Sequence, residues 1–161
     1  MIKGLHHNAY RCRDSEETRE FYEDFLGLPL MLSFEIKQTK TGRDSLVLHS
    51  FYQMNDGSFL AFFEEPDEPF DFKPQRDFDL HIALEVEHDH LLLMLAKGKQ
   101  EAIETRGISD HGFIESIYFR DPNGYVIELT ARTASHNSST FDSATAHSTL
   151  NQWQLKKGST S

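Results

Sequence analysis

The sequence predicts an α+β fold made of two copies of one βαβββ module, and three observations carry that prediction. The first is an internal repeat. Leu5-His6-His7-Asn8-Ala9-Tyr10 and Asp79-Leu80-His81-Ile82-Ala83-Leu84 are short strand-like runs with a histidine in each, and placing His7 on His81 brings Ala9 onto Ala83. The second is a pair of hairpin-like segments, 51–61 and 118–128. Placing Gly57 on Gly124 matches Phe51 with Tyr118, Tyr52 with Phe119 and Ala61 with Glu128. The third is turn chemistry: Asn55-Asp56-Gly57 and Asp121-Pro122-Asn123-Gly124 each separate two apolar runs, as hairpin turns do. A repeat of this length marks two copies of a supersecondary unit, neither of which buries its apolar face alone. Equivalent positions then meet at the interface, which makes His7, His81 and Glu128 candidates to converge on one point.

The elements follow in order. Residues 4–12 read as a strand. Asp14 with Glu17 three residues on has the form of a helix start. The helix runs to about Leu26, with Phe21, Phe25 and Leu28 at helical spacing and Gly27 at the C-terminal cap. Strands are predicted at Leu30–Lys37, Ser45–Gln53 and Ser58–Glu64. Residues 66–78 carry Pro66, Pro69 and Pro74 and read as the linker between a first module (1–65) and a second (79–132). The second module opens with a strand at 79–87. Its helix spans about 88–104, with Leu91, Leu92, Leu95 and Ile103 as its apolar residues. The stretch from Gly107 to Gly112 reads as a loop, with a short or missing strand before it, and strands at 113–120 and 125–131 close the module. One domain thus covers 1–132. In the remaining 133–161, Thr133–Ser143 is rich in Ser, Thr and Asn and reads as a flexible connector. A short helix at 144–157 follows, with Leu150, Trp153 and Leu155 as apolar contacts and Trp153 stapling onto the domain or a second subunit. Gly158–Ser161 reads as a frayed end.

Composition narrows the function. The 161 residues carry 16 basic and 26 acidic side chains, a net charge of −10. This disfavours nucleic acid and anionic membrane surfaces, both of which reward basic patches. The single cysteine, Cys12, excludes an internal disulfide and suits a cytoplasmic setting. It reads as a small buried hydrophobe rather than a nucleophile. No signal-like or membrane-length apolar run is present.

Two neutral imidazoles and one carboxylate on neighbouring strands form a ligand set for a divalent metal with open positions. Four protein ligands would point to a closed structural site. Ala61, the first-module counterpart of Glu128, cannot ligate, so the internal symmetry is broken toward an open three-ligand site. Glu64 is the nearest carboxylate on that strand but falls on the opposite face, as does His6 beside His7. Singly, a strand histidine is more often a hydrogen-bonded core residue than a ligand; His7, His81 and Glu128 gain weight together, at matching positions. His49, Arg11 and Arg120 are further candidates to line the cavity, whereas His88, His90, His136 and His147 read as solvated.

These stretches resemble the vicinal oxygen chelate superfamily, which includes glyoxalase I, fosfomycin-resistance thiol transferases, bleomycin-binding proteins and extradiol ring-cleaving dioxygenases. The matching residues are Gly4-Leu5-His6-His7, Asp14 through Phe21-Tyr22, Leu26-Gly27-Leu28, Asp79-Leu80-His81-Ile82-Ala83, and Tyr118 through Leu129, over about residues 3–132. The resemblance implies paired βαβββ modules whose mainly antiparallel mixed sheet curves around one open cavity. It implies His7, His81 and Glu128 as metal ligands, and a homodimer. Fe(II) leads by ligand type, with Mn, Zn or Ni as alternatives. In such proteins the metal chelates two neighbouring oxygens of a small substrate. For ring cleavage, the family places a tyrosine ten residues before the glutamate, a position held here by Tyr118. The family's acid–base histidine would fall near Ser58, which cannot titrate, so His49 or His111 is the expected substitute. A glyoxalase-type lyase or isomerase, acting through a metal-bound enediolate, is the alternative, although Ala61 departs from its fourth ligand. Thiol transfer to an antibiotic uses the same triad with a basic phosphonate pocket and ranks third among these chemistries. A drug-sequestering binding protein with a vestigial metal site is the non-enzymatic reading.

Overall fold

The computed structural model describes residues 1–136 and 141–158. Its first strand, β1 (His7–Arg11), leads to Asp14, whose carboxylate accepts the Glu16 and Glu17 amides at 2.8 and 2.9 Å. This cap satisfies two of the orphan donors at a helix start. Helix α1 (Ser15–Arg19) then widens into a π-helical turn, Glu20–Phe25, with the Leu26 amide bonding the Phe21 carbonyl. The predicted single helix is therefore a short α-helix followed by a π segment, and Phe21, Tyr22 and Phe25 are its buried residues.

Strands β2 (Leu30–Gln38), β3 (Asp44–Gln53) and β4 (Phe59–Glu64) complete the first module as a sheet of order β1-β4-β3-β2. Strands β5 (Ile82–Glu85), β6 (Thr105–Asp110), β7 (Ile114–Arg120) and β8 (Val126–Arg132), with α2 (His88–Gln100), form the second, ordered β5-β8-β7-β6. In each, the first strand pairs in parallel with the last and the other pairs are antiparallel. The repeat is exact in register at the centre. Ala61 lies between Ala9 and Phe51, and Glu128 lies between Ala83 and Tyr118. The expected paired modules are thus present, as two separate four-stranded sheets.

One expectation fails in the second module. Thr105–Asp110 is a strand, not a loop: pairing with β7 satisfies its backbone, while Gly107, at φ +114°, and the register shift after it hide the alternation that marks a strand. In α2 the buried residues are Leu91, Met94 and Gly98, while Leu92 is exposed. Gly98 lets α2 approach β7 closely, since a Cβ there would meet Phe119 at 2.6 Å.

One core joins the modules, and helices and helix-facing strand residues build it. Phe25 packs on Phe119, Tyr10 on Tyr125, and Tyr22 donates to Asp121 at 2.9 Å. The Lys97 ammonium crosses to the Phe25 carbonyl at 2.8 Å. Cys12 is buried there, and burial pushes its thiol up to about 11. The other face of each sheet, bearing His7 and Phe51 in one and Glu128 and Tyr118 in the other, points away from this core.

The linker packs on the second module: the Lys73 amide bonds the Asn123 carbonyl, and Arg106 pairs with Asp77 at 2.7 Å. Beyond the domain, α3 (Ser143–Gly158) forms as expected. Leu150, Trp153 and Leu155 are each more than half exposed, so Trp153 is not buried on the domain. Residues 137–140 and 159–161, on which parts of the connector and frayed-end readings fall, lie outside the described residues. Among the described residues, no helix is long and apolar enough to cross a membrane.

Candidate metal centre

Strand pairing brings His81, at the entrance to β5, over Glu128 on β8. The His81 Nε2 lies 3.1 Å from Glu128 Oε2, and its Nδ1 lies 2.7 Å from the Asp77 carbonyl oxygen. The carbonyl can only accept, so Nδ1 donates to it, which leaves Nε2 as the ring atom that faces the carboxylate. This is the outer hydrogen bond that orients a ligating histidine. Glu128 is only 5% exposed. Its described polar neighbours are the His81 imidazole and the Tyr118 hydroxyl, 3.5 Å from Oε1. A carboxylate buried this deeply without a permanent cation is costly, and a divalent ion would relieve that cost.

Tyr118 is held in turn. Its hydroxyl meets His111 Nε2 at 3.1 Å, and the Arg106 guanidinium sits over its ring at 5.3 Å while pairing with Asp77. Burial, reinforced by the Glu128 charge, raises the phenol above its ordinary value and keeps it a neutral donor. Residues 111, 118, 128 and 81 thus form one connected line from an exposed imidazole to a buried carboxylate.

His7 lies elsewhere, on the open face of the first sheet. There it packs against Phe51 at 5.5 Å and His49 at 6.4 Å, and its Nδ1 meets His6 Nδ1 at 2.7 Å. His6 therefore contacts His7 rather than facing away from it. His49 is 6% exposed, stacks on Phe63 at 3.7 Å, and has Nδ1 fixed on the Phe62 carbonyl. Among the described residues, no three His, Cys, Asp or Glu side chains gather as a metal site. The chain alone unites two of the three expected ligands, because the core joins the sheets through their helix sides. Glu64 is removed from consideration: its carboxylate accepts the Ser15 amide at 2.8 Å, on the helix side.

The two open faces differ in character. The first is apolar, with Leu32 and Phe34 about half exposed and Val47 and Phe51 beneath. The second is polar, but its arginines are engaged: Arg106 with Asp77, Arg120 with Glu104, and Arg132 with Glu85. Arg11 on the first face is held by Glu65. Arg11 and Arg120 thus serve structure more than a cavity. His88 pairs with Glu115 at 3.2 Å, and His136 packs on Phe113 and Phe141, so neither is simply solvated. Spacing alone could not signal His136, since Phe113, just before β7, is remote from it in sequence.

The chain matches the sequence model of the Glyoxalase/Bleomycin resistance protein/Dioxygenase superfamily over residues 4–129. It is 26% identical over 144 residues to the metallothiol transferase FosB of Shouchella clausii (strain KSM-K16), spanning 83% of each chain. Among solved structures, it resembles the fosfomycin resistance protein FosX of Listeria monocytogenes, complexed with Mn(II) and sulfate. That match has a TM-score of 0.62 and 23% identity, covering 84% of this chain and 98% of that one. A glyoxalase/dioxygenase from Nostoc punctiforme matches with a TM-score of 0.64 and 22% identity, over 81% and 92% of the two chains. The two structural matches agree with the paired-module fold.

Proposed function

The chain belongs to the Glyoxalase/Bleomycin resistance protein/Dioxygenase superfamily, and from that premise we propose a metal-dependent enzyme whose site is completed between two copies. His81 and Glu128 of one copy and His7 of the other would hold a divalent metal. The pair 3.1 Å apart around a buried carboxylate is the observation that carries this reading. Leu32 and Phe34, left about half uncovered on the open face of β2, support a second copy over the first sheet. Among the alternatives to Fe(II), Mn(II) gains weight because FosX was solved with it.

The ion would supply Lewis acidity to the two neighbouring oxygens of a chelated substrate. The protein's residues do the rest. The Asp77 carbonyl holds His81 in the ligating tautomer. Tyr118 donates a hydrogen bond to a substrate oxygen from beside Glu128, and His111 relays its proton to solvent. His49, with Nδ1 committed to the Phe62 carbonyl, offers Nε2 as a base from the first sheet. This set supports an oxygen-consuming ring opening of a catechol-like substrate best. A phosphonate would have to compete with carboxylates for the open-face arginines, which are already paired. The similarity to FosB favours thiol transfer to an electrophilic small molecule as the second reading.

The test is subunit complementation. His7→Ala and Glu128→Ala each lose tight metal binding; mixed and reassociated, they recover about a quarter of wild-type sites if the site spans two copies of a symmetric dimer. No recovery sinks the shared site, and undiminished metal content in both variants sinks the ligand assignment. With Fe(II), catechol-dependent O₂ uptake that requires Glu128 supports ring opening. Thiol-dependent turnover of fosfomycin under Mn(II) without oxygen would replace it with the second reading.

A further inference from the structure

Farther along the open face of the second sheet lies a cavity of about 270 Å³, lined by Phe113, Ile114, Thr130, His136 and Phe141 with Glu85 and Arg132. Thr130 follows Glu128 by two residues on β8, so it shares that face, roughly 7 Å along the strand. The cross-strand pairs form one floor: Tyr118 with Glu128, then Ser116 with Thr130, then Ile114 with Arg132. The Ser116 hydroxyl donates to Thr130 at 3.2 Å, which ties off the polar groups between the metal pair and the cavity.

The wall of this cavity comes from beyond the repeat. The Thr133 amide bonds the Phe113 carbonyl at 3.1 Å, its hydroxyl bonds the Gly112 carbonyl at 2.7 Å, and the His136 amide returns to the Thr133 carbonyl at 3.0 Å. That turn lays His136 against Phe113. Phe141 closes an aromatic trio with centroids 6.2, 6.0 and 5.4 Å apart. Phe141 remains 69% exposed, an aromatic ring held at the cavity but not buried by the chain. Glu85 and Arg132 neutralise each other at 2.6 Å. The cavity is thus walled by aromatic rings, with its one ion pair internally balanced, and it lies on the same sheet face as the candidate metal pair.

We infer that this cavity is a specificity pocket for an apolar, planar substituent on the chelated substrate. Resting on the proposed metal site, the inference names the substrate class as an aryl-substituted vicinal diol rather than a compact phosphonate. Phe141 and Phe113 are its selecting residues. They touch the substituent and leave the chelated oxygens to His81, Glu128 and Tyr118.

Equilibrium binding to the Mn(II)-loaded protein, which needs no turnover, tests it. Catechol, 4-phenylcatechol and methylphosphonate are titrated calorimetrically into the wild type, Phe141→Ala and Phe113→Ala. The phenyl-bearing diol is expected to bind about tenfold tighter than catechol. Phe141→Ala, at an exposed position that the fold does not need, should erase most of that ratio while catechol affinity and metal content stay at wild-type values. Phe113→Ala should act in the same direction. Equal wild-type affinities for the two diols, or a ratio that survives Phe141→Ala, overturns the pocket and leaves the metal site standing. If neither diol binds a fully metallated protein, or methylphosphonate binds more tightly than both, the proposed function fails and the pocket assignment falls with it.

Discussion

Tyr22→Phe removes one oxygen from the joint between the modules and should make stability depend more steeply on pH. Asp121 is 2% exposed, and four donors reach its carboxylate. The Tyr125 and Asn123 amides reach Oδ1 at 2.8 and 2.9 Å; the Tyr22 hydroxyl and Asn123 Nδ2 reach Oδ2 at 2.9 and 3.1 Å. Burial raises the Asp121 pKa, and the hydrogen bonds from Tyr125, Tyr22 and Asn123 oppose the rise. Phe keeps the ring packed on Phe62, at 4.6 Å, and on Phe21, at 5.0 Å, so no cavity opens. What is lost is one hydrogen bond to a buried charge, worth about 1.5–3 kcal/mol. A raised folded-state pKa means that Asp121 contributes stability that is full below its unfolded value and is lost as pH rises through the folded value. Without the Tyr22 donor the folded value climbs further, and the loss on reaching neutrality grows. The gap between wild type and variant should therefore be widest near neutral pH and narrow toward about pH 4, the unfolded value of an aspartate. Urea unfolding across that range, at constant ionic strength, measures it. A gap below about 0.5 kcal/mol at neutral pH, or one of constant size at every pH, refutes the reasoning.

Two further substitutions probe the linker and the chemistry. Gly124→Ala places a side chain at φ +92° with its Cβ 2.4 Å from the Lys73 carbonyl oxygen. It should cost more than about 2 kcal/mol and speed proteolysis within residues 66–78, and an unshifted Tm would count against the close approach. Tyr118→Phe should leave metal content and fold intact while lowering kcat by about a hundredfold under the proposed function. A wild-type rate would remove Tyr118 from the reaction.

The sequence by itself determined the paired modules, the two hairpin turns, the Asp14 cap, and the equivalence of Ala61 with Glu128. These depend on local patterns: a repeat of residue types, a Gly-bearing turn, a cap with its partner amides two and three residues away. It also marked His81, Glu128, Tyr118 and His111, which pairing across β5, β8 and β7 gathers into one line. It missed β6, because Gly107 and a register shift break the alternation of Thr105–Asp110. It placed His136 in solvent, because the packing of that ring on Phe113 and Phe141 depends on a turn that Thr133 anchors. Only the tertiary structure decided which face of each sheet turns inward. Strands β3 and β4 carry apolar or aromatic side chains on both faces, with Phe51 beside Tyr52 and Ala61 beside Phe62, so alternation alone names no core side. The helices decided it, by packing Tyr22, Phe25 and Met94 between the sheets. That choice leaves His7 on one uncovered face and His81 with Glu128 on another, since the burial that drives folding acts on apolar area and takes no account of which histidines it separates.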